Sequence, residues 1–435
     1  MGNHVKKVNV GLLGLGTVGT GVAKVLLERS RWMAQRAGVE IALTRIATRH
    51  PQRQRPVRLR PGLVTTNPQA ILNDPEIHVV VELIGGLHPA RELIHAAIRA
   101  KKHVVTANKA LLAHYGAEIF RAAARAGVDV YFEASVAGGI PIIKALREGL
   151  VANELQAIYG IINGTSNFIL SEMGRDGRSF EAALKEAQAR GYAERNPSLD
   201  LKGIDTAHKL SILALLGFGK TVLPEEMFVE GIPGITQNDI RYAHDLGYAI
   251  KLLAIAKREG SDLELRVHPT LLPRQHPLAR VSGVFNAIYV KGDLVGEQLF
   301  YGQGAGRWPT TSAVLADVID VARNIACGAP RRVPALVPGS PIRRIRRIGE
   351  VEGRYYFRFS CIDRPGVLAK IARILGGHRI SIASVIQPDR RRDHIVPLII
   401  VTHEARERDV EAALQRIDRF SVVRRRTVAI RIERG

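Results

Sequence analysis

The chain has 435 residues, room for two or three domains at about 100–200 residues each. With 46% hydrophobic and 24% charged residues it can build packed cores, and its 2 cysteines, Cys327 and Cys361, exclude a disulfide scaffold or a cysteine cage for zinc. The net charge of +22 invites a nucleic-acid partner, but 48 of the 63 basic residues are arginines scattered along the chain and aromatics make up only 5%, so none is expected.

The short basic clusters Arg343-Arg344, Arg346-Arg347, Arg390-Arg391-Arg392 and Arg424-Arg425-Arg426 have no interleaved aromatics. No apolar run approaches ~18 residues, so no membrane partner is expected either. The first residues lead into an apolar strand without a signal-peptide core, which makes a cytoplasmic protein the expectation.

Residues 5–13, 40–48, 78–82, 103–106 and 128–132 read as strands, separated by amphipathic stretches at 19–29, 89–100 and 116–126. That alternation predicts an α/β domain, a mostly parallel sheet with helices on both faces. The first strand runs into Gly14-Leu15-Gly16-Thr17-Val18-Gly19 and then a helical pattern. In this context the glycines suit a dinucleotide: Gly14 for a tight turn, Gly16 for backbone approach to a pyrophosphate, Gly19 for helix–strand contact. A Rossmann-type domain follows. The second strand ends in Thr48-Arg49-His50, with Arg53 and Arg55 behind, and no acidic residue at that end. A basic cluster there favours the 2′-phosphate of NADP, with NAD as the alternative.

From about 135 to 302 the pattern is less regular, with strands expected at 155–162 and 262–267 and helices at 180–190, 204–216 and 239–259. A Pro- and Arg-rich stretch at 327–347 reads as a linker. Beyond it, 355–361, 366–376, 383–387, 395–402, 410–417 and 422–432 give a β-α-β-β-α-β order, a ferredoxin-like module.

Four segments carry polar groups that no structural role evidently requires. They are Thr106-Ala107-Asn108-Lys109, Asn163-Gly164-Thr165-Ser166-Asn167, the loop from Gly191 through Glu194 and Asn196 to Asp200, and Gly203 to Lys209. Asp205 and Lys209 are four apart on a helix, a spacing that an ordinary surface ion pair would also satisfy.

Together these segments resemble homoserine dehydrogenase over nearly the whole chain. The stretch Ala193-Glu194-Arg195-Asn196-Pro197 through Gly203-Ile204-Asp205 to Lys209 is similar to that family's most characteristic region. Val81-Glu82-Leu83-Ile84-Gly85-Gly86, Val104-Val105-Thr106-Ala107-Asn108-Lys109 and Gly304-Ala305-Gly306 fall in the family's order. The C-terminal module, with Asp363-Arg364-Pro365-Gly366-Val367-Leu368, resembles the ACT domain, an amino-acid sensor.

The resemblance implies NAD(P)-dependent interconversion of L-homoserine and L-aspartate 4-semialdehyde. It implies Lys209 as the principal acid/base with Lys109 assisting, and Glu194, Asp205 and Asp200 as substrate contacts. Cofactor contacts would come from Gly14, Gly16, Thr17, Val18, Gly19, Arg49, Thr106, Lys109, Gly191 and Gly306. A monovalent cation, sodium, would be held by the Glu133 side chain and the carbonyls of Val136, Gly138 and Ile140. The implied division is a nucleotide domain at 1–134 with helix 310–326 returning to it, and an α+β catalytic and dimerisation domain at 135–309. A linker at 327–347 and an ACT domain at 348–435 follow. Threonine is the implied effector, and a homodimer or higher homo-oligomer the implied assembly. A related NADP-linked semialdehyde reductase and a non-catalytic NADP and amino-acid sensor are the alternatives. Two departures stand out: Asn196 where the family has an acidic residue, and the bulk of Arg307-Trp308-Pro309 after Gly306.

Overall fold

The computed structural model describes residues 7–334, 336, 339, 341–387 and 394–434; the cluster Arg390-Arg391-Arg392 lies outside them. The chain opens with β1 (Lys7–Leu13), α1 (Thr17–Glu28), α2 (Ser30–Ala37), β2 (Glu40–Ala47), β3 (Val64–Thr65) and α3 (Gln69–Leu72). It continues through β4 (Val79–Glu82), α4 (Ala90–Arg99), β5 (His103–Thr106), α5 (Lys109–Ala126) and β6 (Val130–Tyr131). These six strands form one sheet in the order β3-β2-β1-β4-β5-β6, with every neighbouring pair parallel. A parallel sheet is buried on both faces, which is why Val8, Val10 and Leu12 of β1 and Val79, Val80 and Val81 of β4 are all apolar and fully buried. The strand order reverses between β1 and β4, and the crevice beyond the carboxyl ends of such strands is where ligands bind in open α/β sheets.

The middle of the chain contains α6 (Ile142–Lys144), β7 (Leu155–Ile161), α7 (Gly164–Asp176), α8 (Phe180–Ala189), α9 (Ser198–Leu201) and α10 (Ile204–Phe218). Then come β8 (Phe228–Val229), α11 (Gln237–Asp245), β9 (Tyr248–Glu259), β10 (Asp262–Pro273), β11 (Phe285–Gly292), β12 (Gly296–Gln303) and α12 (Arg307–Ala326). The helix expected at 239–259 is therefore corrected to a short helix and a long strand. Gly247, at φ +84, ends the helical segment, and the apolar run from Leu252 to Ala256 pairs residue by residue with β10. A continuous apolar run fits a buried helix and a buried strand equally well, and the hairpin partner decides between them.

The chain ends with β13 (Arg344–Ile345), β14 (Glu352–Ile362), α13 (Val367–Gly377), β15 (Ile382–Ile386), β16 (Ile395–Thr402), β17 (Ala405–Arg406), α14 (Glu407–Ile417) and β18 (Val423–Ile432). The expected β-α-β-β-α-β order is present, with strands arranged β18-β14-β16-β15. One face of this sheet, Tyr355, Phe357 and Phe359 with Leu398 and Ile400, packs on Ile371 and Leu375 of α13 and Val410, Ala413 and Ile417 of α14.

Two compact units emerge: Met1–Ile158 with His208–Glu226 and Phe285–Pro341, and Tyr159–Ala207 with Met227–Val284 and Ile342–Gly435. In the first, α12 lays Val314, Val318, Val321 and Ala322 into the core formed by β1, β2 and α1. The approach is close, since a Cβ on Gly21 of α1 would stand 2.3 Å from Thr311 Oγ1. In the second, β18 pairs in parallel with β10, joining the ferredoxin-like sheet to the β9–β10 hairpin. The other face of β14 carries Arg358, which bonds the fully buried Asp239 of α11 at 2.6 Å.

A buried ionic network sits where these strands meet. Arg266 of β10 donates to Glu264 at 3.2 Å and Glu433 at 2.7 Å, and Glu264 also accepts from Arg346 at 2.8 Å. Arg431 donates to Glu407 and to Glu230. Arg344, half-exposed at the end of the expected linker, pairs with Asp262 at 3.0 Å and Glu350 at 2.6 Å. Burial, then the Arg431 and Arg266 charges, push the pKa of His268 well below the usual value. Its Nε2 accepts from Arg266 at 2.9 Å while Nδ1 donates to the Pro269 carbonyl at 3.0 Å. No helix of the described residues is long and apolar enough to cross a membrane.

Candidate active site

At the end of β1 the backbone turns through Gly14 at φ +99, a conformation L side chains rarely adopt. A Cβ on Gly14 would meet the Leu83 carbonyl oxygen at 2.6 Å, and one on Gly19 would meet the Gly14 oxygen at 2.2 Å. Gly16 differs, because nothing among the described residues lies within 4 Å of its missing Cβ, which leaves open backbone for a ligand. It is also the residue before α1, and no side chain caps that helix. The first N–H groups of α1 are thus available to an anion, helped by the helix dipole. Thr17 and Val18 form the first turn, with Thr17 exposed. Gly14→Ala is expected to cost about 1–3 kcal/mol of stability through backbone strain and to weaken dinucleotide binding. Titration calorimetry beside a denaturant melt measures both.

The basic cluster after β2 divides into two roles. Arg55 donates to the carbonyls of Leu15 at 3.0 Å, Arg53 at 2.6 Å and His50 at 2.8 Å, so it ties the loop to the glycine turn. Arg49 and Arg53 are exposed, and Arg49 follows the strand end where a ribose phosphate would lie. Only the structure separates the brace from the other two.

Across the switch point, Glu82 ends β4 fully buried. Its Oε1 accepts from the amides of Ile84 at 2.7 Å and Gly85 at 3.1 Å, and its Oε2 accepts from Thr106 Oγ1 at 2.6 Å. Thr106 Oγ1 in turn accepts from the Asn108 amide, while Asn108 donates to the Gly86 carbonyl at 2.7 Å and caps α5 at Leu111. This network fixes the turn after β4 and the start of α5, whose first residue is the half-buried Lys109. Glu82 stands outside the sequence-derived site, and its signal, a carboxylate ending an apolar strand, acquires meaning only with its three donors in place.

Lys209 is buried on α10. The helices carrying the two lysines meet: His114 of α5 stacks edge-on against His208, ring centroids 5.4 Å apart. His114 also contacts the Ala110 carbonyl at 2.8 Å and Glu225 at 3.1 Å.

In the second unit, Asn163 Nδ2 donates to Asp200 Oδ1 at 2.7 Å and to Asp205 Oδ2 at 2.9 Å. The structure thus brings together two of the three expected substrate carboxylates. Glu194 is exposed on the loop before α9, and Gly191, at φ +72, turns the chain out of α8. Thr165 Oγ1 donates to the Tyr192 carbonyl at 2.6 Å and anchors that loop. Asn196 accepts from the Ser198 amide at 3.3 Å, a turn-forming bond that its amide makes as well as a carboxylate would.

The expected cation ligands lie in one buried segment of the first unit. Glu133 accepts from the amides of Ile143 and Lys144, both at 2.8 Å, and burial raises its pKa to about 7 against the pull of those bonds and of Lys144 and Arg147. Val136 and Ile140 are buried, as is Gly138, on which a Cβ would stand 2.4 Å from the Gly304 oxygen. One carboxylate with backbone carbonyls is the donor chemistry of a hard cation, so the residues fit. Among the described residues, no group of three or more His, Cys, Asp or Glu is arranged for a metal ion. Gly306, at φ +116, starts α12, whose first turn contains the exposed Trp308.

The ferredoxin-like module has a cavity of about 400 Å³ at the turn between β14 and α13, lined by Asp363, Arg364, Gly366, Gln387 and Val396 among others. Asp363 Oδ1 accepts from Gln387 at 3.2 Å, whereas its buried Oδ2 has no partner among the described residues.

Family models match three segments: homoserine dehydrogenase, NAD binding domain, at 14–133; homoserine dehydrogenase at 141–319; and the ACT domain at 355–420. The homoserine dehydrogenase of Pseudomonas aeruginosa is 47% identical over 433 residues, 99% of both chains. A crystal structure of a homoserine dehydrogenase from Thiobacillus denitrificans is similar at a TM-score of 0.89 and 49% identity, covering 99% of each chain. A hyperthermophilic archaeal homoserine dehydrogenase in complex with NADPH is similar at a TM-score of 0.61 and 27% identity, over 72% of this chain and 97% of that one. On a glycine turn shaped for a dinucleotide and near-complete coverage of such relatives, the chain belongs to the homoserine dehydrogenase family and carries a C-terminal ACT domain.

Proposed function

We propose that the chain interconverts L-homoserine and L-aspartate 4-semialdehyde, with Lys209 handling the proton at the substrate's C4 oxygen. The observation that carries the reading is Lys209 itself, buried on α10 one turn beyond Asp205. The nicotinamide, when bound, supplies or accepts the hydride. An aldehyde becoming an alkoxide needs a proton donor at oxygen, and a lysine withdrawn from water suits that exchange. Lys109 assists from the start of α5, and Glu194, Asp200 and Asp205 hold the substrate's ammonium and hydroxyl. Arg49 and the archaeal NADPH complex favour NADP over NAD. A sodium ion would be held by Glu133 and the carbonyls of Val136, Gly138 and Ile140, and the working form is a homodimer or higher homo-oligomer. The division into 1–134 with 310–326, 135–309, 327–347 and 348–435 belongs to the same reading. The comparisons favour neither alternative, since the relatives named above carry this one activity. An absorbance rise from NADP+ on adding L-homoserine tests the assignment; no rise with either nicotinamide cofactor defeats it.

Threonine is the proposed effector, because the Asp363 oxygen that has no partner among the described residues borders a cavity of suitable size for a small amino acid. Threonine at a hundredfold excess over its Kd is expected to stabilise the native state by about 2.7 kcal/mol and to lower activity. The shift should vanish in Asp363→Ala. A thermal melt with and without threonine checks both points, and an undiminished shift in the variant would place the ligand elsewhere.

A further inference from the structure

Arg431 of β18 joins the C-terminal module to the middle of the chain. Its side chain is 12% exposed, and its donors are divided between two elements. Nε donates to Glu407 Oε2 at 2.8 Å and Nη2 to Glu407 Oε1 at 2.5 Å, a two-pronged bond to the first residue of α14. Nη1 donates to Glu230 Oε2 at 2.8 Å, and the guanidinium lies 4.5 Å from the ring centre of Phe228. These last contacts fall on β8 and the residue after it. A cavity of about 700 Å³ is lined by Phe228, Glu230 and Ile235 and by Val410, Glu411 and Leu414 of α14. Arg431 borders the same cavity, so its guanidinium spans a gap rather than joining two packed faces.

The backbone that begins at Glu230 leads to the candidate substrate segment. The Glu230 amide donates to the Val267 carbonyl at 2.8 Å, and the Ile232 amide donates at 2.9 Å to the carbonyl of Leu201, the last residue of α9. Between them, a Cβ on Gly231 would stand 2.1 Å from the Leu201 oxygen and 2.6 Å from Lys202 Cα, a clash only glycine avoids. A Cβ on Gly203, at φ +81, would stand 3.2 Å from both Val229 and Val267. Asp200 directly precedes the bonded carbonyl, and Asp205 follows Gly203 on the first turn of α10. At the other end, α14 packs through Val410, Ala413 and Ile417 on Ile371 and Leu375 of α13, whose first residue, Val367, lines the Asp363 cavity. Close-packed interiors pass small displacements on rather than absorbing them.

We infer that Arg431 and Glu230 form the junction through which the C-terminal module positions α9 and the start of α10, so that a ligand in the Asp363 cavity acts on substrate binding through this pair. The regulatory half of the inference rests on the reading of that cavity as the effector site.

Glu230 is the residue to change, because its side chain is 45% exposed, whereas truncating Arg431 strands the buried Glu407. Glu230→Ala removes the acceptor for Nη1, and Glu230→Gln keeps an oxygen there without the charge. With full-length enzyme, NADP+ and no threonine, Glu230→Ala should raise KM for L-homoserine about twofold to fivefold, with kcat changed less. Glu230→Gln should fall between it and wild type. The thermal shift given by L-threonine should persist in both variants, while the concentration for half inhibition of Glu230→Ala should rise by at least about fivefold. A merely structural defect would not weaken inhibition while leaving threonine binding intact. A wild-type KM in Glu230→Ala, or inhibition by threonine undiminished there, overturns the junction. If L-threonine neither shifts the melt nor inhibits the wild-type enzyme, the effector reading fails, and the KM of Glu230→Ala alone decides whether the pair positions α9.

Discussion

Lys209→Ala should lower kcat for homoserine oxidation by about 10²–10⁴-fold, the usual contribution of a positioned acid/base. The loss should fall on kcat and kcat/KM together, because proton transfer is made in the transition state and not in the ground-state complex. The variant should still fold and bind NADP+, since the glycine turn, the start of α1 and the Glu82–Thr106–Asn108 network do not involve Lys209. Lys109→Ala should cost less, as expected of an assisting group at the mouth of α5. Steady-state kinetics on both variants decides it: a Lys209→Ala enzyme within about tenfold of wild type would move the acid/base elsewhere.

Arg266→Ala is the substitution expected to damage the fold most. It removes the guanidinium that Glu264 and Glu433 share while leaving both carboxylates in place, Glu264 buried beside Arg346. Truncating one partner of a buried pair costs about 3–5 kcal/mol, most of it the penalty of stranding the opposite charge. His268 would also lose the donor to its Nε2. Replacing Arg266 and Glu433 together by methionine should cost much less, because a buried pair and an apolar pair of similar volume are close in stability. Urea melts of the single and double variants measure the difference. Equal losses would mean that the cost is in packing rather than in charge.

The parts of this protein legible in the sequence are those governed by short-range rules. The Gly14-to-Gly19 turn sits between a strand and a helix as its spacing demands, and the ferredoxin-like order of the C-terminal module follows from local apolar periodicity. Residues 239–259 read as one helix in sequence because Leu252 to Ala256 is apolar throughout and has no period to read; only pairing with β10 makes it a strand. The site divides in the same way. Lys209 and Asp205 are visible as a four-residue spacing, and the family resemblance gives them roles. Arg55 falls in sequence among the phosphate-binding arginines, yet its bond to Leu15 spans 40 positions, which no local pattern encodes. Asn163 is visible as a polar residue after a strand, but its work depends on carboxylates more than thirty positions away.

The most direct test of the proposed reaction follows the transferred hydrogen. L-Homoserine carrying two deuterium atoms at C4, incubated with NADP+ and the wild-type enzyme, should place one deuterium in the reduced nicotinamide per turnover and yield an aldehyde that a hydrazine traps as the hydrazone of aspartate 4-semialdehyde with the other deuterium retained. Reduced cofactor without deuterium, or a trapped product of another mass, would contradict it.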